Sequence, residues 1–122
     1  MKVAIYWNLH KKIFSIQSRE KENYGKVIDH VVSAVIQSPK FVVRQAGREK
    51  VLKENSKNVH AFITGTLRWV SDDFFEFSEG RRITYNPYKY NSFVIADTKE
   101  QVSAGEYVTM TIQDLKPIME VV

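Results

Sequence analysis

Apolar and polar residues alternate over short stretches along most of this chain, the period expected of strands half-buried on a sheet. Val3, Ile5 and Trp7 alternate with Ala4 and Tyr6, so residues 3–8 predict a first strand. Leu9-His10-Lys11-Lys12 predicts a loop. Ile13-Phe14-Ser15-Ile16-Gln17 predicts the returning strand of a β-hairpin, although no Asn-Gly or Asp-Gly marks its turn. Residues 19–25 are polar and read as a loop. Val27 to Ile36 carries two patterns. Val27, Val31 and Val35 recur at helical spacing, yet Val and Ile dominate the stretch and β-branched residues prefer a pleated surface. A long strand is the favoured reading, broken at Ser38-Pro39 and restarted as a short strand at Phe41-Val42-Val43.

Gln45 to Glu54 predicts the helix. Ala46, Val51 and Leu52 are its apolar positions, Gly47 weakens its start, and Asn55-Ser56-Lys57-Asn58 ends it. Val59 to Val70 predicts a strand with Val59, Ala61, Ile63, Gly65, Leu67 and Trp69 on one face and His60, Phe62, Thr64, Thr66 and Arg68 on the other. Gly65 within it suggests a bulge or a close backbone approach. Asp72-Asp73 and Glu79-Gly80 read as turn markers around Phe74-Phe75-Glu76-Phe77. Further strands are predicted at 83–85, ending at Asn86-Pro87, at 92–96 and at 106–113, with Pro117 separating the last from a short apolar tail. This pattern predicts a mainly β (α+β) fold: a small antiparallel barrel or strongly curved sheet with one short helix around 45–55, in a single domain spanning 1–122.

Composition adds exclusions. The chain has 122 residues, 43% of them hydrophobic and 26% charged, enough for one hydrophobic core. It has no cysteine, which removes disulfides, thiolate metal sites and cysteine nucleophiles. Met1 to Trp7 lacks the features of a signal peptide and no apolar run is long enough to span a bilayer, so no membrane association is expected. Charge is uneven: residues 1–60 hold 12 Lys/Arg against 5 Asp/Glu, and residues 61–122 hold 6 against 9. A basic half can attract nucleic acid or an acidic protein, unless folding intermixes the charges.

Candidate chemistry concentrates in two places. The segment 44–60 brings Arg44, Arg48, Lys50, Lys53 and Lys57 to His60. A metal-independent nuclease uses such a set, with His60 as acid or base and Arg48 and Lys50 on phosphate; the alternative is a solvated helix face. The run Tyr85-Asn86-Pro87-Tyr88-Lys89-Tyr90 interleaves aromatic and polar groups. Tyr85, Tyr88 and Tyr90 suit stacking with bases or a protein interface, or they cap the core. His10, His30 and His60 show no metal-ligand spacing, and no phosphate-loop, dinucleotide or nucleophile-elbow motif occurs, so no metal or cofactor is implied. Asp72, Asp73, Glu76 and Glu79 read as a solvated turn rather than a cation site.

Met1-Lys2-Val3-Ala4-Ile5-Tyr6-Trp7-Asn8-Leu9-His10-Lys11-Lys12, Lys57-Asn58-Val59-His60-Ala61-Phe62 and Tyr85-Asn86-Pro87-Tyr88-Lys89 together resemble small conserved proteins of tailed bacteriophages, usually without an assigned function. The resemblance implies expression in the bacterial cytoplasm during infection. It also implies action by binding a host or phage macromolecule, a protein foremost, including inhibition of a host defence system. It supplies no catalytic residues. Nucleic-acid binding through 44–60 is the alternative, and an uncovered strand edge would allow a homodimer.

Overall fold

The structure, a computed structural model, describes residues 1–103 and 105–122. The fold is mainly β. Among the described residues, strands β1 (Lys2–Asn8), β2 (Ile13–Ser18), β3 (Val27–Val31) and β4 (Ser33–Val43) precede helix α1 (Gln45–Glu54). Strands β5 (Ala61–Ser71), β6 (Arg81–Thr84), β7 (Val94–Ile95), β8 (Tyr107–Gln113) and β9 (Lys116–Val121) follow. They form one antiparallel sheet in the order β3-β2-β1-β5-β4-β8-β9-β6-β7. The small barrel or strongly curved sheet expected from the short strands is corrected to an open ladder that is neither closed nor strongly curled, with edges β3 and β7 not hydrogen-bonded to each other.

The N-terminal hairpin forms as its alternation predicts, with Ile5 opposite Ile16 and Trp7 opposite Phe14. Its turn needs no glycine, because Asn8 organises it. The Asn8 Oδ1 accepts from the backbone N–H of His10 and Lys11 at 3.1 and 3.0 Å, and its carbonyl accepts from Lys12 N–H at 2.7 Å. The expected long strand 27–36 is broken at Val32, where the chain leaves the ladder with β2 and enters the ladder with β5.

Ser38-Pro39 does not end β4. The strand continues to Val43 through a bulge, with Gln37 opposite Thr66 and Lys40 opposite Thr64. Ser38 takes a positive φ of 53° there. Gly65 sits across from this bulge, and a Cβ at Gly65 would lie 2.4 Å from Ile36 Cγ2 and 2.7 Å from the Gln37 carbonyl oxygen. The close approach predicted for this glycine is therefore present.

Strand β5 begins two residues later than predicted and loses its clean alternation. A second irregularity, between Val35 and Ile36 of β4, leaves Arg68 without a partner there. Phe62 and Ile63 are both buried, Phe62 with the guanidinium groups of Arg19 and Arg44 over its ring, while Trp69 and Val70 are exposed. The strand predicted at 92–96 shrinks to the two residues of β7.

Pro117 does not separate a tail: it lies inside β9, opposite Ile112. Asp114 and Leu115, both at positive φ, make a two-residue hairpin turn. In such a hairpin the Ile112–Pro117 pair is a non-hydrogen-bonded one, so the nitrogen of Pro117 points away from β8. Pairing with β6 starts only at Met119, so no ladder bond is lost. One hydrophobic cluster, with Val3, Ile5, Phe14, Ile36, Ile63, Val108 and Met110 at its centre, extends across the sheet from Val31 of β3 to Ile95 of β7.

Candidate functional site

Helix α1 connects the paired ends of β4 and β5, so its start is tied to the residue just before β5: Arg44 N–H donates to the His60 carbonyl at 2.7 Å. Gly47 faces this junction, and a Cβ on it would stand 2.7 Å from His60 Cβ. The glycine that weakens the helical pattern is what lets α1 lie against His60. The helix ends at Asn55 in the left-handed conformation, φ 52°, which asparagine tolerates better than most residues. The side chain of Asn55 then accepts a hydrogen bond from Tyr88 O–H at 2.8 Å.

The tyrosine run is a turn built on Asn86. Its side chain accepts from Tyr88 N–H at 2.9 Å, and its carbonyl accepts from the N–H groups of Lys89 and Tyr90 at 3.0 and 2.8 Å. Arg48 clamps this turn to the helix, its Nε donating to the Pro87 and Tyr90 carbonyls at 3.0 and 3.1 Å. His60 is buried, 6% exposed. Its Nδ1 lies 2.8 Å from the Asn58 carbonyl, which can only accept, so Nδ1 carries the proton. Nε2 then accepts from Tyr85 O–H at 2.8 Å. Tyr85 stacks on Phe93 with centroids 5.3 Å apart. Burial raises its phenol pKa above the usual 10.0, opposed by the charge and hydrogen bond of Arg48.

The segments 55–60 and 85–88 and the tip of the β1–β2 hairpin enclose a cleft of about 710 Å³. Trp7, His10, Lys57, His60, Tyr85 and Tyr88 line it, over a floor that includes Ile5, Phe14 and Met110.

Arg48, Lys57, His60, Tyr85 and Tyr88 thus come together, although 25 residues or more separate the two groups in sequence. Tyr90 joins them through its backbone carbonyl. Arg44 is exposed, with its guanidinium 5.0 Å from the centre of the Phe62 ring. At about 100° per helical residue, Lys50 is turned some 100° from Val51, the buried residue of α1, and Lys53 about 160°. Measured from Gly47, which rests against His60, Lys50 is turned about 60° round the helix and Lys53 about 120°, and neither lines the cleft. His30 is also elsewhere, 2.9 Å from Ser15 Oγ. Among the described residues no group of three His, Asp or Glu is placed to hold a metal ion, and no helix is long and apolar enough to cross a membrane.

A second surface escaped the sequence analysis. Trp69, Phe74 and Phe75 are exposed, Phe74 by 70%, and Val70 is exposed on the opposite face of β5 from Trp69. Trp69 meets Phe75 edge-on at 4.8 Å, and Phe77 stacks with Phe75 at 6.2 Å. The loop is pinned from beneath: Ser33 Oγ donates to the Asp73 carbonyl at 2.7 Å, Phe75 N–H donates to Thr111 Oγ1 at 3.2 Å, and Ser33 and Thr111 hydroxyls lie 2.7 Å apart. The available signal was three phenylalanines in four positions between acidic turns.

No solved structure matches the chain. The family model described as Mycobacterium phage L5 gene 82 protein matches residues 1–116. The gene 82 protein of Mycobacterium phage L5 is 39% identical over 118 residues, covering 91% of this chain and 90% of that protein. The chain, whose phrases resembled tailed-phage proteins, belongs to the Mycobacterium phage L5 gene 82 protein family.

Proposed function

We propose that this phage protein acts by binding a protein of its host or of the phage through the aromatic ledge of Trp69, Phe74 and Phe75, without chemistry of its own. The observation that carries the reading is the combination of exposure and rigidity. Large aromatic side chains are held out in solvent by a buried hydroxyl network, and rigid aromatic anchors dominate protein-interface energetics. Asp72, Asp73, Glu76 and Glu79 flank the ledge in sequence, so the partner should offer an apolar pocket rimmed by Lys and Arg. A host defence component with that surface is the partner class we place first. The nuclease alternative has less support, because both ring nitrogens of His60 are engaged within the chain and neither Lys50 nor Lys53 lines the cleft beside it.

The test is affinity capture from infected cells with the wild type, with Trp69→Ala/Phe74→Ala and with Lys50→Glu/Lys53→Glu, followed by titration of the purified partner. Loss of two anchors should weaken binding roughly 30-fold or more, while the lysine variant should bind like wild type. A partner held equally by the ledge variant sinks the proposal.

A further inference from the structure

We propose that the cleft beneath the β1–β2 hairpin tip is a nucleotide site, taking an aromatic base against its ring-lined walls and a phosphate at its mouth. Its volume of about 710 Å³ lies within the range of small-molecule sites, roughly 300–1,000 Å³. This site is distinct from the aromatic ledge, whose side chains do not line it.

Charge selects the ligand first. The chain carries 14 Asp and Glu, yet none lines the cleft, whereas Lys57 and His10 do and both are exposed. An anionic group is therefore favoured by charge. The walls select next. Trp7 is fixed edge-on to Phe14 at 5.1 Å, Tyr85 is stacked on Phe93 and bonded to His60, and Tyr88 is bonded to Asn55. These rings are already ordered, so a planar ligand meets little further entropy cost on stacking against them.

The rim then separates a base from a plain aromatic acid. Asn55 spends its carbonyl oxygen on Tyr88, which leaves its amide N–H groups for a ligand, and Asn58 also lines the cleft. Side-chain amides offer donor and acceptor together, the complement of a nucleobase edge. The same chemistry is carried by a free nucleoside monophosphate and by the 5′-phosphorylated end of a single strand.

Trp7 supplies the readout. In a Trp69→Phe background it is the remaining tryptophan, since the chain has two. Its emission is followed against the four common nucleoside 5′-monophosphates, their nucleosides, a 5′-phosphorylated single-stranded oligonucleotide, benzoate and laurate. A saturable change with at least one monophosphate is expected. Affinity should fall roughly tenfold when the phosphate is removed, and by a similar factor in Lys57→Glu. Lys57 is exposed, so that variant should fold normally. Tighter binding of the oligonucleotide than of the monophosphate assigns the site to strand ends; weaker binding assigns it to free nucleotides. The proposal is overturned if no monophosphate or oligonucleotide gives a saturable change. It is equally overturned if Lys57→Glu and phosphate removal leave affinity unchanged, or if benzoate or laurate binds where nucleotides do not.

Discussion

Replacing Gly47 by alanine sets two energies against each other. Helix propensity favours the change by at most about 1 kcal/mol, because glycine is the poorer helix former. The structure opposes it. The new methyl would stand 2.7 Å from His60 Cβ and 3.2 Å from Asn58 Nδ2. Carbon atoms in good contact lie roughly 3.5–4.0 Å apart, so the overlap is close to 1 Å. His60 has no room to retreat: its ring is bonded at both nitrogens and its carbonyl accepts from Arg44. The helix must therefore shift, and that strains the two bonds by which Arg48 holds the 85–90 turn. Overpacking of this kind costs roughly 1–3 kcal/mol, and loss of an Arg48 bond adds about 1 kcal/mol. Gly47→Ala should then destabilise the protein by about 1–3 kcal/mol, a fall in Tm of roughly 4–10 °C for a chain of this size. Thermal unfolding followed by circular dichroism measures it, with the exposed helix residue Glu49 changed to alanine as the control, expected to move stability by no more than about 0.5 kcal/mol. A rise in Tm for Gly47→Ala would mean that propensity wins and that α1 does not rest on His60 as described.

Three further outcomes are expected. Thr109→Val should leave stability unchanged or raise it by about 1 kcal/mol, because Thr109 Oγ1 is withdrawn from solvent without a partner; a clear loss in chemical denaturation would show that the hydroxyl is bonded. Tyr85→Phe should cost about 1–3 kcal/mol by leaving His60 Nε2 without its donor. The raised pKa of Tyr85 means the folded state holds the phenol proton more tightly than the unfolded chain does. That part of the stability is complete below about pH 10 and is lost as pH rises through the folded-state value. Phenolate absorbance should accordingly show one late-titrating tyrosine that disappears in Tyr85→Phe, and an unaltered titration curve would refute the assignment. Thr111→Val should remove the acceptor for Phe75 N–H and the contact with Ser33. It should cost about 1–2 kcal/mol and speed hydrogen exchange at Phe75, whereas unchanged exchange there would show that the ledge is held some other way.

Elements set by local patterning were legible in the sequence: the first hairpin, the bounds of α1 and strand β8 all follow period and composition. The misreadings arise where a proline was judged by its own preference rather than by its neighbours. Pro39 sits in a bulge and Pro117 at a pair that needs no N–H toward β8, so neither ends a strand. Closure of the sheet was not legible either, since it depends on which strand lies beside which, and period carries no such information. Of the candidate site, the two segments were found but not their union. Arg48 binds backbone carbonyls at Pro87 and Tyr90, and no residue type advertises a carbonyl as a partner.

Three arginines of the basic half are engaged within the fold. Arg48 is spent on the second half's own turn, Arg44 lies over Phe62, and Arg19 lies over Tyr24 and Phe62. The more telling residues are those that break local rules. Gly47 is a poor choice within a helix, and it admits His60. Asn55 takes a left-handed conformation, and it both ends α1 and holds Tyr88. Tyr85, a large aromatic ring with a polar tip, is half-buried, and that tip orients His60. Each costs or constrains something locally, on the order of 1 kcal/mol for the glycine, and each is repaid by a contact with a distant segment. All three contacts meet at the walls of one cleft. Departures from local preference are expected where a specific geometry has to be held. That convergence makes the cleft, to which both halves contribute, a stronger case for a ligand than the basic segment as a whole.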